Sequence, residues 1–249
     1  MNRDLKAAIQ AARKGVEIVK NYIDTDFEIR EKGRNDIVTE ADIAVEKAIL
    51  SFLKSEFPDD QLLAEETRNK QTLEKKRVWI VDPIDGTTNF AYRFPIFCVS
   101  VGLWENGKPK AAAIIEVNRG EEFTASAGDG AYLNGSPISV SGRSNHSKAL
   151  LGTGFPYSDM SLVDDYIRLF YELTKQVKGI RRPGAATYDL CCVADGRFDG
   201  FYEYALKAWD VAAAALVVRE AGGVVTDWDG GEDWLFGQKI IAGNPHIHQ

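Results

Sequence analysis

Cysteine is scarce in this chain, and the few that occur form no pattern. Cys98, Cys191 and Cys192 are the only cysteines among 249 residues, and no pair has the Cys-x-x-Cys spacing of a zinc knuckle. An odd and sparse set of this kind excludes a disulfide framework. The composition therefore predicts a protein of the reducing cytoplasm.

Histidine and long apolar runs are lacking as well. Only three histidines occur, and two of them, His246 and His248, lie in the last four residues. Any bound metal is therefore expected to be hard and oxygen-ligated. No run of about 18 apolar residues occurs, and no apolar segment follows the amphipathic start of the chain. We expect neither a membrane span nor a secretory signal.

Basic residues are outnumbered by acidic ones. Lysine plus arginine number 30 and aspartate plus glutamate number 37, which gives a formal charge of −7. This balance argues against a polyanion-binding surface over the whole molecule, so no nucleic-acid partner is predicted. At first sight it also disfavours an anionic substrate.

The first half of the chain reads as two helices in front of a sheet. Apolar residues at helical spacing predict one helix over 4–22 and another over 44–57, the latter begun by Thr39 or Asp42. Short apolar runs separated by Asn-Gly turns then predict a mostly antiparallel sheet over 78–140.

The second half alternates between helices and strands. Strands are predicted at 149–153, 200–204, 224–226 and 239–242, and helices at 162–177, 185–194 and 209–221. No repeat or flexible linker occurs. We therefore predict an α/β layered sandwich of alternating helix and sheet layers, built from two sub-domains, 1–140 and 141–249, that share an interface.

The most informative segment runs from Trp79 to Phe90 with the sequence WIVDPIDGTTNF. An apolar strand leads into Asp82, and the turn fixed by Pro83 allows Asp85 to converge with it at the strand's carboxyl end, where α/β proteins bind ligands. Gly86 allows a ligand to approach the backbone, and the N–H groups after it can hold phosphate oxygens. An isolated Asp-x-x-Asp-Gly is more often an ordinary turn, but this longer string behind a buried strand favours a functional site.

Three further acidic segments lie at the ends of predicted elements. Asp36 to Asp42 precedes a helix, Glu65 and Glu66 follow a short strand, and Asp210 opens the alanine-rich helix. Each alone is explained as a capping box, a surface acidic pair or an N-cap. Together they form a carboxylate set that suits Mg²⁺. Two such ions about 4 Å apart promote phosphate-ester hydrolysis by activating water, stabilising the leaving oxygen and neutralising the phosphate.

These segments resemble the inositol monophosphatase family of Mg²⁺-dependent phosphatases, within the fructose-1,6-bisphosphatase-like superfamily. The matching motifs are, in order, Asp36-Ile-Val-Thr39 with Asp42, Trp79 to Phe90, and Trp209-Asp210-Val-Ala-Ala with Glu220-Ala-Gly-Gly223. The similarity spans nearly the whole chain, and the second motif is highly specific.

The resemblance implies a set of metal ligands. One ion would be bound by Glu65, Asp82 and the carbonyl of Ile84, and a second by Asp82, Asp85 and Asp210, with a weaker third ion at Glu65. Two to three Mg²⁺ ions are thus implied, with Mn²⁺ able to substitute.

The resemblance also implies the catalytic and phosphate-binding residues. The catalytic group would comprise Thr87, Asp42 and Glu65, with Thr87 hydrogen-bonded to Asp42 and positioning the attacking water. The phosphate would be held by Gly86 and Thr87, with Asp85 and Asp210 also contacting the substrate.

The alcohol half of the substrate would contact residues of the second half of the chain. The matching positions are Gly184, Ala185, Ala186 and Glu203, with Arg181 beside them. Ala185 stands where many members have a hydroxyl residue, so a hydrogen bond to the sugar is lost and selectivity for inositol is in doubt.

Two further features have simpler interpretations. The basic segment 178–182 either contacts the substrate or forms a solvated loop or a dimer contact. A set of aromatic residues and vicinal cysteines is expected to pack in the core, namely Phe90, Tyr92, Phe94, Phe97, Cys191 and Cys192.

The predicted function is that of a Mg²⁺-dependent phosphomonoesterase acting on a small polyol phosphate, with inositol 1-phosphate as the first candidate. The alternative is the same chemistry on fructose 1,6-bisphosphate, histidinol phosphate or a 3′-phosphonucleotide, because all share the metal half of the site. A regulatory binding protein without turnover is less expected, since no predicted ligand is missing. The resemblance also implies lithium sensitivity and a homodimer, and we predict no membrane partner.

The excess of acidic residues then takes on a different meaning. Five of the 37 acidic residues are predicted to meet in one site. Two Mg²⁺ ions bring four positive charges to these five negative ones, and a third would make the cluster positive. The loaded site can accept a phosphate, so the net charge does not exclude an anionic substrate.

Overall fold

The chain folds into five layers in the order helices, sheet, helices, sheet, helix. The computed structural model describes residues 2–33, 36–67, 72–157 and 159–249. The helices are α1 Arg3–Tyr22, α2 Glu40–Glu56, α3 Thr87–Ala91, α4 Val163–Thr174, α5 Ala186–Ala194, α6 Ala208–Val211 and α7 Ala214–Glu220. The strands are β1 Ile29–Gly33, β2 Asp36–Thr39, β3 Gln61–Ala64, β4 Arg77–Asp85, β5 Cys98–Glu105, β6 Lys108–Glu116, β7 Glu121–Ser126, β8 Gly130–Leu133, β9 Ser136–Pro137, β10 Leu150–Thr153, β11 Gly179–Arg181, β12 Gly200–Tyr204, β13 Val224–Thr226 and β14 Lys239–Gly243.

The first sheet has seven strands in sequence order, β3 to β9. Only β3 and β4 pair in parallel, and every later pair is antiparallel. The hairpin between β5 and β6 turns at Asn106 (φ 53°) and Gly107 (φ 75°), and two positive φ angles are what a type I′ turn requires. The predicted antiparallel sheet is therefore present, and its register follows from this turn.

Helices α1 and α2 cover one face of this sheet. Their apolar stripes pack with Trp79, Val99 and Ile115 in one core cluster. Helix α2 begins at Glu40 and not at the predicted residue 44, because Thr39 and Asp42 form a capping box in which each side chain accepts a hydrogen bond from the other residue's backbone N–H.

Helices α5, α6 and α7 fill the layer between the two sheets. They pack in one core cluster with Ile80 of the first sheet and Phe201 of the second. Gly102 allows a close approach here, since a Cβ on it would lie 3.2 Å from the Cα of Ala213. Cys191 and Cys192 are buried in this layer, as predicted, and they are unpaired.

The second sheet has the order β11-β10-β12-β14-β13 and is mixed. Strand β10 pairs in parallel with β11 and β12, and the other pairs are antiparallel. Helix α4 covers its outer face with the buried Tyr166. The sequence of layers confirms the predicted α/β layered sandwich, whereas the division into sub-domains 1–140 and 141–249 stays a prediction.

Two expectations about local structure were wrong. The predicted helix 209–221 is interrupted between α6 and α7, where the carbonyl of Ala212 accepts a hydrogen bond from Trp104 Nε1. Phe90 and Phe97 are buried as predicted, but Tyr92 is 79% exposed and Phe94 50% exposed. The chain turns outward there because Arg93 has a positive φ of 57°. Within the basic segment 178–182, whose predicted roles were a substrate contact, a solvated loop or a dimer contact, residues Gly179–Arg181 form strand β11.

Among the described residues, no helix is both long enough and apolar enough to cross a membrane.

Candidate active site

The carboxyl end of β4 brings Asp82 and Asp85 to one side of the sheet. Asp82 pairs with Ser100 and Asp85 with Cys98, so β4 has one residue more than β5 in this stretch. This irregularity is a β-bulge at Pro83, and it reverses the usual alternation of side chains. Two acidic residues three positions apart can therefore face the same space.

Asp82 is a buried carboxylate that lies close to other carboxylates. It is 1% exposed, and its Oδ1 atom has no hydrogen-bond partner among the described residues. Burial, followed by repulsion from Glu65, Asp85 and Asp210, raises its pKa well above the ordinary value. Such a crowded set of carboxylates opposes folding unless a cation neutralises it.

Helix α5 links Asp85 to Asp210. The N–H of Thr187 donates to Asp85 Oδ2 at 2.6 Å, and its hydroxyl donates to the carbonyl of Asp210 at 2.9 Å. Asp210 Oδ2 in turn accepts from the N–H of Lys207 at 2.6 Å. Burial raises the pKa of both carboxyls. No sequence pattern marks Thr187 and Lys207 as part of the site, because their contacts depend on tertiary packing.

Glu65 approaches the same region from the end of β3. The ammonium group of Lys32, on the hairpin of β1 and β2, lies 2.7 Å from both Glu65 Oε1 and Glu66 Oε1. The N–H of Glu66 donates to Glu46 Oε2 at 2.6 Å, so helix α2 anchors this turn. The sequence offered a signal for Glu46, since it lies four residues after Asp42 and thus on the same helix face.

Thr87 and Asp42 meet beside the carboxylates. Thr87 Oγ1 lies 3.1 Å from Asp42 Oδ1 and 3.0 Å from the carbonyl oxygen of Ile84. Asp42 Oδ2 accepts hydrogen bonds from the N–H and the hydroxyl of Thr39 at 2.8 and 2.6 Å. Burial nevertheless raises the pKa of Asp42 to about 6. Asp42 therefore both caps α2 and orients the hydroxyl of Thr87. The side chain of Asp36 lies outside the described part of the structure.

The donor set fits a hard divalent cation. All the candidate ligands are carboxylate or carbonyl oxygens, which Mg²⁺ prefers. Asp82 Oδ1 accepts no hydrogen bond from the described residues, so its lone pairs are available to a cation. Within the described residues, no three histidine, cysteine, aspartate or glutamate side chains already surround one point as metal ligands. Glu65 Oε1, Asp85 Oδ2 and Asp210 Oδ2 accept hydrogen bonds from Lys32, Thr187 and Lys207, respectively.

A cleft of about 140 Å³ opens next to Asp85 and Asp210. Its other walls are Gly154, Arg182, Gly184, Ala185, Ala186, Asp189, Glu203 and Leu206. The cleft therefore brings together the predicted substrate contacts except Arg181, Gly86 and Thr87. Arg181 is exposed on β11, and its neighbour Arg182 lines the cleft instead.

Gly86 joins the two halves of the site. It has a φ of 90°, and a Cβ on it would lie 3.0 Å from the carbonyl oxygen of Ile96 and 3.3 Å from the Cβ of Ala185. A side chain at this position would push β4 away from the Gly184 loop. Glycine is therefore required by both the backbone angle and the close packing.

The whole chain matches one family. The profile described as "Inositol monophosphatase family" matches residues 1–249. The chain belongs to the inositol monophosphatase family.

Relatives of known name and structure support this assignment. The Nus factor SuhB of Pseudomonas aeruginosa is 42% identical over 246 residues, which cover 96% of this chain and 91% of the relative. The crystal structure of the extragenic suppressor protein suhB from Bartonella henselae is 38% identical with a TM-score of 0.94, and the match covers 99% of this chain and 96% of that one.

A further member of known structure contains the expected ion. The crystal structure of an IMPase/NADP phosphatase complexed with Mg²⁺ and phosphate is 28% identical with a TM-score of 0.83, over 95% of this chain and 88% of that one. The inositol monophosphatase family is Mg²⁺-dependent, in agreement with the oxygen donors around Asp82.

Proposed function

We propose that this protein is a Mg²⁺-dependent phosphomonoesterase that hydrolyses a small polyol phosphate, with inositol 1-phosphate as the first candidate substrate. One observation carries the proposal. Four buried or half-buried carboxyls, those of Glu65, Asp82, Asp85 and Asp210, repel one another beside a small cleft. A bound divalent cation would neutralise this repulsion, and oxygen ligands of this kind suit Mg²⁺.

The metal ligands in this proposal are Glu65, Asp82, the carbonyl of Ile84, Asp85 and Asp210, for two to three ions, with Mn²⁺ as a substitute. When bound, Mg²⁺ neutralises the phosphate, lowers the pKa of water and stabilises the leaving oxygen. The protein supplies fixed positions for these oxygens through the bulge of β4 and the hydrogen bonds from α5.

Thr87 and Asp42 orient the attacking water. The hydroxyl of Thr87 has one proton, and it lies within reach of two acceptors, Asp42 Oδ1 and the carbonyl of Ile84. If the carbonyl ligates a metal, the proton is directed to Asp42. The lone pairs of Thr87 Oγ1 are then free to accept a hydrogen bond from water, which aligns the water for attack on phosphorus.

The size of the cleft favours a small alcohol half. Clefts for drug-sized ligands measure roughly 300–1,000 Å³, whereas this one measures about 140 Å³. A polyol ring is therefore a better candidate than the nucleoside half of a 3′-phosphonucleotide. The backbone of Gly86 and Thr87 is proposed to hold the phosphate at the open side.

The hydroxyl of Thr87 allows a test of the proposed catalytic geometry. We expect Thr87→Ala to lower kcat by about 100-fold with little change in KM, because aligning the water matters in the transition state and not in substrate binding. Thr87→Ser should recover most of the rate. Thr88→Ala is the matched control, since Thr88 is exposed on the same helix. A change confined to KM would contradict the proposed role.

A phosphate-release screen with Mg²⁺ tests the function directly. The panel contains inositol 1-phosphate, fructose 1,6-bisphosphate, histidinol phosphate and a 3′-phosphonucleotide at equal concentrations. We expect the highest kcat/KM with inositol 1-phosphate. If another ester gives a higher kcat/KM, the protein is a phosphomonoesterase with that ester as its preferred substrate. If no ester releases phosphate, the proposal is overturned. The second outcome would favour a role without turnover, which the name Nus factor of the SuhB relative leaves open.

A further inference from the structure

The cleft contains an acidic residue that the proposed chemistry does not use. Asp189 lies in the first turn of α5, is 1% exposed and lines the cleft. Its Oδ1 atom has no hydrogen-bond partner among the described residues. Burial and repulsion from Glu203 and Asp85 raise its pKa well above the ordinary value, and only Arg182 acts in the opposite direction. An unpaired buried carboxyl opposes folding, and a ligand that donates a hydrogen bond would satisfy it.

Asp189 lies on the same wall of the cleft as Ala185. Ala185 is the N-cap of α5, and its side chain has no hydrogen-bonding group. Asp189 lies four residues later, and its N–H donates to the carbonyl of Ala185 at 2.9 Å. Residues i and i+4 share a helix face, so Asp189 lines the same wall of the cleft as Ala185. It offers an acceptor on the wall where alanine offers none.

Glu203 and Arg182 complete this end of the cleft. A Cβ on Gly154 would overlap the carboxyl group of Glu203, so glycine at 154 makes room for that group. Burial raises the pKa of Glu203 to about 8. Arg182 lies across the mouth, with its Cζ atom 5.4 Å from the ring centroid of Tyr157. Two acceptors and one donor therefore surround the same small space.

We propose that Asp189 is a specificity-determining residue that accepts a hydrogen bond from a hydroxyl group of the substrate's alcohol half. Glu203 accepts from a second hydroxyl group, and Arg182 donates to a hydroxyl oxygen at the mouth. The subsite therefore selects phosphate esters of polyhydroxylated alcohols over esters of the same size that lack hydroxyl groups. This inference rests on the proposed phosphatase function.

Two esters of equal ring size test the inference. In inositol 1-phosphate each ring carbon apart from the phosphorylated one carries a hydroxyl group. Cyclohexyl phosphate has no hydroxyl group on its ring. We expect Asp189→Ala to lower the ratio of kcat/KM for inositol 1-phosphate to that for cyclohexyl phosphate by about 10- to 100-fold, as expected for a lost hydrogen bond to a charged group. Most of the change should appear in KM for inositol 1-phosphate. The ratio cancels any general damage to the metal site.

A second variant separates specificity from stability. Asp189→Asn keeps the shape and one acceptor but removes the buried charge. We expect a melting temperature of the metal-free protein a few degrees above that of the wild type, together with a threefold to tenfold lower substrate ratio. A purely structural role would lower the melting temperature and affect both esters equally. Asp164→Asn, on the exposed side of α4, is the matched control.

The outcomes distinguish the proposed phosphatase function from the proposed role of Asp189. A wild-type protein that releases no phosphate from any ester of the screen refutes the proposed function and this inference together, and a wild-type protein that hydrolyses cyclohexyl phosphate as efficiently as inositol 1-phosphate refutes the inference alone. A wild-type protein that prefers inositol 1-phosphate, combined with an unchanged ratio in both Asp189 variants, refutes the inference alone. A falling ratio in both variants, larger for alanine, supports it.

Discussion

Asp82→Asn is expected to lower kcat by a thousandfold or more while the protein stays folded. The carboxyl of Asp82 lies between those of Glu65, Asp85 and Asp210 and is proposed to bridge two ions. An amide has the same shape but carries no charge, and its NH₂ group cannot ligate a cation. Metal binding supplies several kcal/mol of transition-state stabilisation, and about 4 kcal/mol corresponds to a thousandfold in rate.

The same substitution is expected to raise the stability of the metal-free protein. The pKa of Asp82 is raised in the folded state, so its carboxyl opposes folding at any pH above the ordinary value near 4. The neutral amide removes this effect. In a chelator, the variant should melt a few degrees above the wild type. After addition of Mg²⁺ the order should reverse, because only the wild type gains the full stabilisation by ligand binding.

An exposed aspartate provides the control for this experiment. Asp24→Asn changes the net charge by the same amount on the surface, and it should change neither turnover nor the response to Mg²⁺. Wild-type turnover in Asp82→Asn would contradict the bridging role. A variant that melts below the wild type in the chelator would contradict the view of Asp82 as an uncompensated charge.

The sequence predicts those features that depend on neighbours in the chain. The Asn-Gly turn at 106–107 predicts the hairpin, because the backbone angles of the turn set the strand pairing. The capping box of Thr39 and Asp42 predicts the start of α2, but its second role at Thr87 needs a contact across 45 residues. That role follows from the family resemblance and not from the local pattern.

Features that depend on which side of a strand faces inward were harder to predict. Arg181 and Arg182 are adjacent, and neighbouring residues of an extended chain point to opposite sides. The sequence alone does not tell which arginine lines the cleft, and the structure places Arg182 there. The exposure of Tyr92 and Phe94 has a similar origin, since the positive φ of Arg93 redirects a segment that reads as core.

The hydrogen bonds and ion pairs around the carboxylates were not predictable, because they join residues that are distant in the chain. Lys32 lies on a hairpin that the apolar pattern does not reveal, and it pairs with Glu65 and Glu66 from more than thirty residues away. Asp189 has no motif either. Asp189 stands out because it is buried and its Oδ1 atom has no partner among the described residues. It also lies four residues after Ala185, and the first turn of α5 places the two residues on one face.

Removal of Mg²⁺ is expected to abolish phosphate release, and its return should restore it. Among the described residues that line the cleft, four carry carboxyl groups, namely Asp85, Asp189, Glu203 and Asp210, and a single one, Arg182, carries a positive charge. Without cations, the approach of a phosphate to these carboxylates is repulsive. We expect EDTA to lower the rate by at least a thousandfold, and excess Mg²⁺ to restore it fully.

Thermal unfolding supplies an independent measure of the same event. Saturation at about 100 times Kd stabilises a binding-competent fold by about 2.7 kcal/mol per site, which corresponds to roughly 5–10 °C for a chain of this size. Mg²⁺ should produce this shift, whereas sodium chloride at equal ionic strength should not. Mn²⁺ should produce a similar shift, because it prefers the same oxygen ligands. Turnover that survives EDTA would refute the metal-dependent mechanism, even if Mg²⁺ raised the melting temperature. A melting temperature that does not change when Mg²⁺ is added would refute the assignment of Glu65, Asp82, Asp85 and Asp210 as Mg²⁺ ligands.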